Sequence, residues 1–208
     1  MTPVTDAASF QLAADAAPSH MADLEAFKQL LTEWNEKMNL VGPSALAEFW
    51  PRHAWDSAQL LKLAPEAEVW ADLGTGAGFP GIVLAILLKG RDGARVHLIE
   101  GTTKRCKFLE EVVRTLELPA TVHNARAEEL KMTVDIVTAR ACAPLVRLLG
   151  YARPHLMSGA TGLFFKGRDV AAEIAEAKDH WTFDYSLTPS LSDPSGQIVV
   201  VKGAVRAR

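Results

Sequence analysis

Apolar residues first fall into a helical rhythm at Leu24, Phe27, Leu31, Trp34 and Met38, three or four positions apart in an otherwise polar stretch. That spacing puts one apolar stripe on a helix, predicted to run from Ala22 to near Asn39, ahead of Gly42-Pro43. A second helical stretch reads from Arg52 to about Leu63 and stops before Pro65. Residues 1–20 are rich in Ala and Ser, show no sustained period, and read as a loose tail. From residue 68 the rhythm changes. Strand-like apolar runs occupy 68–73, 95–99, 120–123, 134–138, 161–166 and 197–202, with helical stretches at about 80–89, 103–117, 144–154 and 169–179. Such alternation predicts a parallel sheet covered on both faces. Between Trp181 and Lys202 two strand candidates have no helix between them, which predicts an antiparallel hairpin closing the sheet. The expected division is a flexible leader (1–21), a helical N-terminal extension (22–66) and an α/β core (67–208), all in one compact domain.

Composition narrows this little. The 208 residues suit one domain with a full core. The N-terminus lacks a basic segment followed by an apolar one, and the run Ile82–Leu88 stops at Lys89, so no membrane partner is expected. Cys106 and Cys142 lack metal-ligand spacing and suggest no disulfide framework, which fits a reducing cytoplasm and no metal. The net charge of −3 is unevenly spread. Asp6, Asp15, Asp23 and Glu25 precede the first lysine or arginine, Lys28, and only bases follow Asp193. A weakly basic body behind an acidic leader neither demands nor excludes RNA.

Candidate chemistry begins in "ADLGTGAGFPGIVLA" (71–85), where glycines lie between a strand end and a helix start. The segment fits two templates. Gly76 to Gly81 matches the dinucleotide pattern G-x-G-x-x-G, and Asp72 to Gly78 matches the D-x-G-x-G-x-G loop of S-adenosylmethionine (SAM) methyltransferases. A pyrophosphate needs the free N–H groups of the helix start. Pro80 removes one of them, and the Asp72 carboxylate sits close by; both oppose a polyanion and neither opposes SAM. Gly74, Gly76 and Gly78 would let the backbone pass close to the methionine part. Glu100 ends the second strand, where an acid binds ribose hydroxyls, and it serves either cofactor. The residues favour SAM over a dinucleotide.

The match then widens. "EWNEKMNLVG" (33–42), "RHAWDS" (52–57), "DLGTGAGFPG" (72–81), "TKRCKFL" (103–109), "ARAEEL" (125–130), "ARACAP" (139–144) and "FFKG" (164–167), in that order, resemble the RsmG (GidB) family of small-subunit rRNA N7-guanine methyltransferases. The resemblance covers about 33–203. It implies a class I SAM-dependent methyltransferase fold: Rossmann-like, with a mostly parallel seven-stranded sheet, an antiparallel last strand and a helical extension. It also implies methylation at N7 of guanine 527 in 16S rRNA of the 30S subunit. Carried over, the family's SAM contacts fall on Gly74, Phe79, Ala127, Glu128 and Arg140; the loop and strand-end chemistry adds Asp72 and Glu100 as expected cofactor contacts.

The remaining residues weigh differently. Arg140, past the fourth strand, is expected to position the reactants. N7 has a free lone pair, so no general base is needed, and an arginine bidentate to O6 and N7 would block the nucleophile. The segment lacks the Asn or Asp-Pro-Pro motifs that grip exocyclic amines, which counts against amino methylation. Cys142, in "ACAP", reads as a packed residue rather than a nucleophile. Arg52, His53, Lys104, Arg105, Lys166 and Arg168 are candidate RNA contacts, with Arg206 and Arg208 on the same basic side and Trp34 or Phe79 as a stacking platform. Competing readings are a small-molecule methyltransferase, which would want a lid over an apolar pocket, and an RNA-binding assembly module with a vestigial site, which the intact Asp72, glycine loop and Glu100 oppose. A monomer is expected.

Overall fold

The computed structural model describes residues 3–42 and 46–207. Among the described residues the chain opens with helices α1 (Ala7–Ala14) and α2 (Pro18–Met38) and a π-helical turn (Phe49–Ala54) that runs into α3 (Trp55–Leu63). The α/β part follows as β1 (Val69–Leu73), α4 (Gly81–Leu87), β2 (Arg95–Glu100), α5 (Thr103–Thr115), β3 (Ala120–Asn124), a 3-10 turn (Ala127–Glu129) and β4 (Ile136–Arg140). It continues with α6 (Leu145–Met157), β5 (Thr161–Lys166), α7 (Val170–Lys178), β6 (Trp181–Pro189) and β7 (Gln197–Arg206).

The seven strands form one sheet in the order β3-β2-β1-β4-β5-β7-β6. β1 to β5 pair in parallel, and β7 is antiparallel to both β5 and β6. This is the predicted arrangement, hairpin included. The order reverses at β1, whose neighbours are β2 and β4, so the crevice expected at such a switch point lies beyond the carboxyl ends of those strands.

Two cores flank the sheet. One joins the N-terminal helices to α4 and α5, and the other packs α6 and α7 on the opposite face. α4, "GIVLAIL", is buried from Gly81 to Ile86 and needs no polar face. α5 instead buries only Cys106, Phe108, Leu109 and Val112, on one side. α6 continues past Pro154 to Met157, beyond the predicted end. The missing N–H falls in the helix's last turn, and buried His155 and Leu156 hold that turn against the core.

The leader departs from expectation. Residues 7–14 are helical, and the next helix begins at Pro18 rather than Ala22. The Asp6 carboxylate accepts from Ser9 N at 2.8 Å and caps α1. Phe10, 0% exposed, packs against Trp50 with ring centroids 5.3 Å apart. Lys62 Nζ donates to Ala13 O at 3.1 Å. A single aromatic anchor on a short helix creates no periodicity, so the sequence pattern could not reveal it. Among the described residues no helix is long and apolar enough to cross a membrane.

Candidate functional site

The loop after β1 is built around two carboxylates. Asp72, 0% exposed, accepts from Gly81 N at 2.8 Å, so the first amide of α4 is taken from within. Burial is the main cause that raises its pKa to about 6. Asp72, an expected cofactor contact, lines neither cavity described below; its side chain is buried behind the loop and shapes it. A Cβ on Gly81 would sit 2.3 Å from Leu98 Cδ2, so only glycine permits this packing. Glu100 is also buried, and its two oxygens accept from Gly76 N at 3.1 Å and Thr102 N at 2.7 Å. Each oxygen keeps a second lone pair, and the Arg105 guanidinium stands 3.8 Å from Oε2. Glu100 thus ties the glycine loop to the start of α5, from the position where a ribose was expected.

Gly74 takes a left-handed backbone (φ 66°) and hydrogen-bonds through its N–H to Ile99 O at 2.8 Å. A Cβ here would meet Cys142 Sγ at 2.7 Å. This residue borders two cavities at the carboxyl edge of the sheet. The smaller, of about 260 Å³, is lined by Gly74, Ile99, Gly101, Ala127, Glu128 and Cys142, among others. The larger, of about 530 Å³, has Gly76, Phe79, Arg52, His53, Arg105 and Arg140 on its walls. Of the expected cofactor contacts, Gly74, Gly76, Phe79, Ala127, Glu128 and Arg140 lie on the walls of these cavities. Gly78 does not line a cavity; it shapes the loop, where a Cβ would lie 2.6 Å from Ile82 Cγ1. Cys142 is half-buried, and burial raises its thiol pKa, so it is a packed thiol rather than an activated nucleophile.

The larger cavity has a charged and aromatic wall. The Arg140 guanidinium lies over the Phe79 ring, 5.2 Å from its centroid, and the His53 ring stacks on Phe79 at 4.9 Å. Burial, with Arg140 and Arg52 nearby, lowers the His53 pKa to about 4, so the imidazole is neutral at pH 7. Arg140 Nη1 stands 3.4 Å from Asp56 Oδ2 on α3, and Arg52 pairs with Asp193 at 3.1 Å.

The predicted basic side holds together only in part. Arg52, His53 and Arg105 line the larger cavity. Lys166 reaches its wall, but its Nζ is spent on Ala143 O at 2.6 Å and Glu173 at 2.8 Å. Lys104 and Arg168 are exposed and border neither cavity. Arg206 lies at the opposite edge, over the Trp181 ring at 4.2 Å, because antiparallel β7 carries it away. Arg208 lies outside the described residues. Trp34 packs on Phe108 instead of facing the cavity. The sequence reading missed Asp56, Gln59, Ser190 and Ser192. The one available signal was the run of polar residues Asp56, Ser57 and Gln59 inside a helix buried from Trp55 to Leu60.

A ligand with adenosine at one end and an amino acid at the other fits this arrangement. The bare backbone at Gly76 leaves room for it, and the small cavity runs from Gly74 and Ile99 to Ala127 and Glu128. The helix start offers little to a pyrophosphate, since Asp72 occupies Gly81 N and Ile82 N donates to Gly78 O at 2.8 Å.

Residues 20–199 match the family described as rRNA small subunit methyltransferase G. The chain is 60% identical over 205 residues to the ribosomal RNA small subunit methyltransferase G of Caulobacter vibrioides (strain NA1000 / CB15N), covering 99% of this chain and 95% of that protein. It is 43% identical over 204 residues to the protein of that name from Parvibaculum lavamentivorans, covering 96% and 90%. Among solved structures, an O-methyltransferase from Bacillus cereus in complex with SAH superposes with a TM-score of 0.58 at 16% identity, over 87% of this chain and 90% of that one. M. jannaschii TYW2 in complex with AdoMet gives 0.52 at 17% identity, over 74% and 75%. At these identities the structural likeness is one of fold, the class I methyltransferase fold.

Proposed function

The chain belongs to the rRNA small subunit methyltransferase G family, and from that premise we propose that it methylates N7 of guanine 527 in 16S rRNA, using SAM. SAM supplies a methyl group on a sulfonium, electrophilic enough for a neutral ring nitrogen. The chain's own residues bind and align. Gly74 and Gly76 pass beside the methionine part, the free lone pairs of Glu100 take ribose hydroxyls, and Ala127 and Glu128 meet the adenine edge. Phe79 and Arg140 line the larger cavity, which would receive the base.

One observation carries the reading of N7. On the wall of the larger cavity Arg140 lies over the Phe79 ring, the histidine, with a pKa of about 4, is a weak base, and the two carboxylates, Asp56 and Asp193, are each paired with an arginine. Methylation of a hydroxyl or an exocyclic amine would call for proton removal. Alkylation at N7 calls only for alignment. Arg140 is the positioning group, acting on O6, a phosphate or SAM and leaving N7 free. Arg52 and Arg105, at the cavity mouth, are placed for phosphates of the RNA, and Lys104 and Arg168 would act only farther along the strand. We place the protein in the cytoplasm, acting as a monomer.

The test is tritiated-methyl transfer to 30S subunits from cells lacking the protein, with the labelled base mapped by mass. Label should appear at N7 of one guanine, and Arg140→Ala should reduce incorporation by about a hundredfold, as misplacement by about an ångström does. Label on a cytosine, or full activity in Arg140→Ala, would overturn the assignment.

A further inference from the structure

Three parts of the chain meet at the carboxylate of Asp56, which is 7% exposed. Oδ2 faces Arg140, at the end of β4. Oδ1 accepts from Gln59 Nε2 at 3.1 Å, from Ser190 Oγ at 3.3 Å and from Ser192 Oγ. Gln59 Oε1 in turn accepts from Leu191 N at 2.8 Å, and Arg52 holds Asp193. The helical extension therefore grips the β6–β7 turn, residues 190–196, through three side chains. That turn and Arg140 lie on walls of the same cavity.

We propose that Asp56 is a positioning residue for methyl transfer, fixing the Arg140 guanidinium and the 190–196 turn at a set separation across the larger cavity. The inference rests on that cavity being the transfer site. Asp56 meets the guanidinium end-on, through Nη1 alone. An arginine has five N–H donors in a rigid fork, so one anchored corner sets its plane and leaves other donors for a ligand. A carboxylate suits this joint because it only accepts: one oxygen takes three neutral donors and the other stays turned to the cation. The amide of an Asn cannot serve both sides, since its nitrogen would face either the Gln59 Nε2 donor or the guanidinium as a second donor.

Asp56→Asn, nearly isosteric, tests this. The kcat for methyl transfer to small subunits should fall about tenfold or more, with the KM for SAM within about threefold of wild type. Arg140→Ala combined with Asp56→Asn should be no slower than Arg140→Ala alone, because both remove one device. Amide hydrogen exchange at Leu191 and Gly196 should quicken in Asp56→Asn whatever the RNA target is. Ser192→Ala, which keeps both charges, should shift activity and exchange the same way by less, and it stands in if Asp56→Asn does not fold. A kcat within twofold of wild type, losses that multiply in the double variant, or unchanged exchange at the turn would each overturn the proposal. Failure of the wild-type protein to label any small-subunit guanine would instead overturn the functional reading, while exchange still decides whether Asp56 holds the turn.

Discussion

Asp72 and His53 depart from their ordinary pKa values in opposite directions, and both do so chiefly through burial. Asp72 rises from 3.8 to about 6, so between those values the folded protein holds a proton that the unfolded chain has lost, and stability falls as pH rises. His53 falls from 6.5 to about 4, so there the unfolded chain holds the extra proton, and stability rises with pH. Over about pH 4–6 the two dependences largely cancel. Asp72→Asn should expose the histidine alone. Relative to wild type, the variant should gain stability steadily from pH 4 to 6, by on the order of 3 kcal/mol, read from denaturant melts across that range. A constant difference would mean that Asp72 titrates normally. At this scale the sequence was legible where a residue's place is fixed by a strand end, as with Glu100, Arg140 and the loop glycines. It was illegible for Asp56, whose partners Arg140, Ser190 and Ser192 come from the far end of the chain. Lys166 shows the converse failure, because the charge was visible but its partner Glu173 was not assigned to it.

Among elements, β1 to β5 were read to within a residue or two because each lies between breakers; β1 and β4 are apolar and buried almost throughout at the middle of the sheet, and only the edge strand β3 lacks a fully buried residue. Helix α1 left no such trace. Its attachment rests on Phe10, which meets Trp50 and, with ring centroids at 6.4 Å, Trp55. Phe10→Ala should therefore destabilise the protein by roughly 3–5 kcal/mol, as truncation of a fully buried aromatic does. Leu12→Ala, at a position 85% exposed on the same helix, should change stability by less than about 0.5 kcal/mol. Equilibrium urea unfolding of the two variants checks both. Equal small losses would show that α1 detaches without consequence for the core.

For the molecule as a whole, a ligand seated over the glycine loop touches residues contributed by β1, β2 and β4, so it binds the folded sheet and not the unfolded chain. At about a hundred times its dissociation constant, SAM or its demethylated product should add about 2.7 kcal/mol. In a chain of this size that raises the unfolding temperature by roughly 5–10 °C. NADH should leave it unchanged, since the amides a pyrophosphate would seek are engaged within the loop; a shift with NADH alone would reverse the choice of cofactor. The partition at Gly74 has a further consequence for chemistry aimed at this protein. The two chambers share one backbone residue as their common wall, and that residue has no side chain. A two-headed inhibitor, with a nucleoside in the smaller chamber and a purine in the larger, would need only a short tether. Any substitution at Gly74 that blocked the tether would drive a side chain into Cys142 and damage the site itself, so escape from such a compound by mutation at that wall would carry its own penalty.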